Sequence, residues 1–156
     1  NALISGIAFK QDQTKFTLHG VEDTPGIAYK ILGPVNDQDI SVDVIVQNIS
    51  VNGKTDFTFT VDKEDEEQVK SILESKQSGL DYIDLLIDAD IAKVSIVGAG
   101  MRSHAGIASK AFEALSNESI NIQVISTSEI KITLVIEDKY LELAVKCLHK
   151  AFNLEK

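Results

Sequence analysis

One stretch of this chain occurs twice at a constant offset, and the repeat limits the folds open to it. GIAYKILGPVNDQDISVDVIVQN runs from Gly26 to Asn48, and GIASKAFEALSNESINIQVISTS runs from Gly106 to Ser128. The offset is 80 (106 − 26) and holds at Ile27/Ile107, Ala28/Ala108, Lys30/Lys110, Ile40/Ile120, Val44/Val124 and Ile45/Ile125. Each copy follows a short strand pattern ending in glycine, KFTLHG at 15–20 and KVSIVG at 93–98, and then a polar loop. Each copy then reads as loop, amphipathic helix and β-branched strand. Two copies are too few for a solenoid, which needs at least three stacked units, so the chain holds two versions of one small domain.

Residues 3–10 are apolar and β-rich, and the polar Gln11–Thr14 predicts a turn before the strand at 15–20. Asp23 or Thr24 followed by Pro25 predicts a helix start, with Ile27, Ile31 and Val35 on one face and a kink or early end at Pro34. A strand is expected at 42–49, then an Asn52-Gly53 hairpin turn and a return strand at 55–61. In that strand Phe57, Phe59 and Val61 alternate with Thr58 and Thr60. The acidic run from Asp62 suits a helix N-terminus, Val69, Ile72 and Leu73 supply its stripe, and Gly79 ends it. A strand at 82–88, carrying Ile83, Leu85 and Ile87, completes β-α-β-β-α-β, the ferredoxin-like order.

The second copy offers strand 93–98, helix 106–117, strands 121–128 and 130–136, and a helix at 139–152. It is one strand short, while the N-terminus has one to spare. Residues 3–10 are therefore expected to complete the second sheet. The fold class is α+β: two tandem ferredoxin-like βαββαβ domains, antiparallel sheets with helices on one face. The first domain (15–90) is inserted into the second (3–10 plus 91–156).

Composition narrows the function. Twenty-four acidic against 15 basic residues give a formal charge of −9, which opposes nucleic acid or an anionic membrane as partner. No apolar run reaches the length of a membrane span, and the single cysteine, Cys147, sits in an apolar helical stripe as a buried structural thiol. The expected compartment is the cytoplasm. His19, His104 and His149 are scattered without metal-ligand spacing, so no metal is expected. GAGMRSHAG (98–106) lacks the G-x-G-x-x-G spacing of a dinucleotide loop. What remains is a doubled loop at a helix N-terminus, where free N–H groups and the helix dipole suit a carboxylate. Asp23 could hold an ammonium group, and Gln47, with Thr127 at the equivalent position (47 + 80), could finish the recognition of a small amino acid. Ordinary capping and surface polarity explain the same residues.

The junction D-x-P-G-I-A (Asp23–Ala28), VIVQNIS (44–50) and TDFTFTV (55–61) resemble the first ACT domain of aspartate kinases. KVSIVGAGM (93–101), RSHAGIA (102–108) and INIQVISTSEIKI (120–132) resemble the second. The likeness covers essentially the whole chain. It implies the regulatory half of a lysine- or lysine-plus-threonine-sensitive enzyme, or a separate regulatory subunit, which inhibits the kinase by feedback at the first step of the aspartate-family pathway. The kinase domain, with its ATP and magnesium, would be absent from this chain, which itself needs no cofactor and has no catalytic residues. The resemblance places an effector, threonine or lysine, between paired ACT domains of a homodimer. A first site would use Asp23, Pro25, Gly26, Ile27, Ala28 and Gln47 with Asn121, Ile122 and Thr127 from the facing domain. A second would use Met101, Ser103, His104, Ala105 and Gly106 with Ser41 and Val42. The second loop is two residues longer and has no counterpart of Asp23. An ACT sensor of another biosynthetic enzyme or regulator is the alternative.

Overall fold

The computed structural model describes residues 3–99 and 104–154. The chain divides into two compact units. One is Asp12–Ala89, and the other takes the chain up to Gln11 and again from Asp90.

Within Asp12–Ala89 the elements are the second half of β1 (Leu3–Glu22), α1 (Ile27–Asp37), β2 (Val42–Gln47), β3 (Lys54–Asp62), α2 (Glu66–Glu74) and the start of β4 (Asp84–Ala99). The strand order is β2-β3-β1-β4, the ferredoxin-like arrangement. Strict alternation along β3 sends Phe57, Phe59 and Val61 to one face. There they meet Phe16, Leu18 and Val21 of β1, Ile31 and Val35 of α1, and Val69 and Leu73 of α2. The Asn-Gly turn forms as its sequence demands: Asn52 and Gly53 both have positive φ, 55° and 76°, and Val51 and Lys54 exchange backbone hydrogen bonds.

The other unit combines the rest of β1 and β4 with α3 (His104–Asn117), β5 (Val124–Thr127), β6 (Lys131–Glu137) and α4 (Leu141–Ala151). Its order, β1-β4-β6-β5, is the same one, with the N-terminal strand as the outer member beside β4. Ile4 and Ile7 pack on a core of Val94, Ile96, Ile107, Ala111, Leu115, Ile132, Leu134, Ile136, Leu141 and Leu148. The architecture is thus two α+β ferredoxin-like domains, the N-terminal strand completing the second. Among the described residues no helix is long and apolar enough to cross a membrane.

Several local expectations fail. The predicted turn at Gln11–Thr14 is continuous strand. Asp12 takes the left-handed conformation (φ 55°), which Asp tolerates. Gln13 and Thr14 are buried, and their polar ends bond sideways to Asp62 Oδ1 (2.8 Å) and Glu66 Oε1 (2.9 Å). Strands 82–88 and 93–98 are likewise one strand, β4. Helix α1 begins at Ile27 with Gly26 as N-cap, not at Asp23 or Thr24, and it runs past Pro34 to Asp37. Ile83 and Ile130, at the expected starts of their strands, precede the first residues of β4 and β6 and are exposed. Cys147 is half-buried; its Sγ lies 3.4 Å from Ala144 O, and burial, then the nearby Glu118 carboxylate, push its pKa up.

Thr60 carries a prediction of its own. It is fully buried opposite Lys15 and Asp43, and among the described residues its Oγ1 has no hydrogen-bond partner. Thr60→Val keeps the shape and removes the orphan hydroxyl, so stability should rise by about 1 kcal/mol. A lowered melting temperature would show that the hydroxyl is bonded in solution.

Candidate functional site

β1 delivers the chain at Glu22 into a loop that ends on the first turn of α1. Asp23 N–H donates to Gly53 O (3.0 Å), which fastens the loop to the β2–β3 turn. Thr24 N–H donates to Glu22 O (3.0 Å), and Ile27 N–H to Thr24 O (3.2 Å). Gly26 has φ 87°, a left-handed conformation that favours glycine; a Cβ there would meet nothing within 4 Å, so its need is conformational. No side chain caps α1, and the bond from Lys30 N–H to Gly26 O begins its ladder. The N–H groups of Ala28 and Tyr29 fall in the open first turn, where the positive end of the helix dipole also lies.

Gln47, the last residue of β2, donates from Nε2 to Asp23 Oδ1 at 3.3 Å. Asp23, Pro25, Gly26 and Ile27 thus follow one another along one mouth that Gln47 reaches through Asp23, whereas Ala28 lines the cleft of Ser41 and Val42. Chemically, the mouth sets a carboxylate beside backbone donors, a complement to the two charges of a free amino acid. Beside it lies a hollow of about 330 Å³ that includes Thr24, Lys30 and Asp81 with Pro25, Gly26 and Ile27. Lys30 and Asp81 are not among the site residues that the sequence suggests, although the Lys30/Lys110 repeat marks the first.

Four of the remaining expected residues, Ser41, Val42, Asn121 and Ile122, fall in two matching clefts, one in each unit. Ser41 and Val42 line a cleft of about 700 Å³ with Leu32, Asn36, Asp39 and Ile40. Asn121 and Ile122 line one of about 410 Å³ with Phe112, Ser116, Ser119 and Ile120. Each of these six residues is the +80 counterpart of one in the other cleft. The backbone repeats too: Asp39 (φ 58°) and Ser119 (φ 57°) are both left-handed, and each donates its N–H 2.9 Å to the carbonyl three residues earlier. Thr127 ends β5 and is exposed, as Gln47 is on β2. Met101 and Ser103 lie outside the described residues, and His104, Ala105 and Gly106 open α3. Of the other histidines, His149 is in the last turn of α4 and His19, on β1, pairs with Asp56 on β3. Carboxylate oxygens of Asp62, Glu64 and Asp65 lie within 4.8 Å of one another just before α2, where negative charge suits a helix N-terminus.

Comparison with known proteins places these features in a family. The ACT domain profile matches residues 17–77, and a second ACT profile matches residues 94–152. An aspartate kinase of Pseudomonas putida is 58% identical over 153 residues, 98% of this chain and 37% of the relative. The chain therefore spans little more than a third of such curated relatives. A crystal structure of aspartokinase alpha and beta subunits matches with TM-score 0.86 and 50% identity, over 96% of this chain and 99% of that one. The ligand-free regulatory subunit of aspartate kinase from Thermus thermophilus matches with TM-score 0.88 and 33% identity, with the same coverage.

Proposed function

The chain belongs to the two-ACT-domain regulatory region of the aspartate kinases, and from that premise we propose that it is the threonine and/or lysine sensor for feedback inhibition of the kinase. The observation that carries the reading is the Asp23–Gln47 pair set at the uncapped N-terminus of α1. An effector carboxylate meets the N–H groups of the first turn, its ammonium meets Asp23, and Gln47 reads a short polar side chain, which favours threonine at this site. Asn121, Ile122 and Thr127 of a facing ACT domain close the first site. Met101, Ser103, His104, Ala105 and Gly106 with Ser41 and Val42 form the second. Pairing of ACT domains makes the unit a homodimer in the cytoplasm. The effector acts on an attached or associated kinase domain, which brings its own ATP and magnesium. It inhibits only through its differential affinity for two domain arrangements.

Calorimetric titration of this chain with threonine and with lysine tests the proposal. Saturable threonine binding is expected, weakened about five- to tenfold by Gln47→Ala, the effect of losing one hydrogen-bonding group. A folded chain that binds neither amino acid would refute it.

A further inference from the structure

His19 and Gly20 interrupt an otherwise regular ladder just ahead of the effector loop. The β1–β3 register runs Thr17↔Thr58 and Leu18↔Phe57, then jumps to Val21↔Thr55, leaving both residues opposite Asp56 alone. Such a bulge bends a strand and re-aims the side chains that follow it. One carboxylate oxygen holds it: Asp56 Oδ1 accepts from His19 Nδ1 at 2.7 Å and from Gly20 N–H at 3.1 Å. The ring nitrogen must be the donor, because a carboxylate has none to give. From the other side, Ile83 N–H donates to His19 O at 2.8 Å. Gly20 has φ 72°, and a Cβ on it would come within 2.5 Å of Ile83 Cδ1, so the bulge admits no larger residue without displacement.

The second copy supplies an internal control. There the ladder runs Ser95↔Thr133, Ile96↔Ile132 and Val97↔Lys131 without a shift. The residue at the register position of Asp56 is Lys131. Among the described residues that copy has no bulge at this position and a lysine in place of the carboxylate, and its loop has no counterpart of Asp23.

We propose that Asp56 is a positioning residue for the effector mouth: by holding the His19–Gly20 bulge it turns Val21–Asp23 so that the Asp23 carboxylate faces Gln47. The inference rests on the effector reading above for its effect on binding, but not for its effect on the loop.

Two variants of this chain, Asp56→Ala and Asp56→Asn, test it by threonine calorimetry and by amide hydrogen exchange without ligand. The Asn oxygen can still accept both bonds, so Asp56→Asn should bind threonine within about twofold of the unsubstituted chain, while Asp56→Ala should bind about tenfold more weakly. The Asp23 amide, which donates to Gly53 O, should exchange faster in Asp56→Ala than in Asp56→Asn. Equal affinity of Asp56→Ala and the unsubstituted chain overturns the proposal, as does equal weakening by both variants. If the unsubstituted chain binds neither threonine nor lysine, the effector reading fails. The bulge is then judged by exchange alone: a difference between the variants upholds its hold on the loop, and no difference overturns it.

Discussion

Phe59→Ala should cost about 3–5 kcal/mol, the range for removing a fully buried aromatic ring and leaving a cavity. Phe59 has no exposed surface and sits on β3, which pairs with β1 on one side and β2 on the other. Its ring stacks on Phe16 at 5.6 Å between centroids and meets Phe57 at 6.2 Å. The space it would vacate is bounded by strands on both flanks and by residues of α1 and α2 in the same core, so little can move in to fill it. Small domains hold only about 5–15 kcal/mol of stability. The variant should therefore lose a large share of the stability of the Asp12–Ala89 unit, read by urea denaturation. Phe59→Leu, which keeps much of the volume, should cost less than half as much. A loss below about 1 kcal/mol for Phe59→Ala would mean that this core is not closed as described.

The same core is legible in the order of the amino acids. A strand with one buried face has period two, and TDFTFTV declares that period outright. An Asn-Gly pair can adopt two successive positive φ values at little cost, so the hairpin is legible as well. The β-α-β-β-α-β order follows from the repeat, and the surplus strand at the N-terminus follows from counting elements in each copy. The errors fall where polar residues do something periodicity does not record. Gln13 and Thr14 look like a turn because they are polar, yet they are buried and bonded to Asp62 and Glu66. Asp23 and Thr24 look like N-caps, yet Gly26 takes that position and leaves Asp23 free to meet Gln47. At the site, residue types already join Asp23 to Gln47 as parts of an amino-acid pocket, but ordinary capping explains the same residues, and the resemblance to ACT domains is what favours the pocket. The His19–Gly20 bulge leaves only its glycine as a signature, since two residues opposing one break the very period by which strands are read.

The largest effect on function is expected from Asp23→Ala. In the proposed site this carboxylate meets the ammonium group of the effector, and a charge-assisted hydrogen bond contributes about 1.5–3 kcal/mol, or roughly ten- to a hundredfold in affinity. Asp23 is exposed in the free chain, so the loss should lie toward the lower end and shrink further in high salt, which screens exposed charges. Loss of the Gln47 contact alone would also weaken binding, and the two causes must be separated. Asp23→Asn does so: its amide oxygen can still accept from Gln47, but the negative charge is gone. If Asp23 recognises the ammonium, Asp23→Asn should fall close to Asp23→Ala in calorimetric titration with threonine. If Asp23 only organises the loop, Asp23→Asn should bind like the unsubstituted chain. In a complete aspartate kinase carrying the substitution, the first outcome predicts a feedback response shifted to higher threonine with basal activity kept, because the substituted residue lies in the regulatory region. Inhibition at unchanged threonine concentration would remove Asp23 from the site, and the reading of the α1 mouth as a threonine sensor with it.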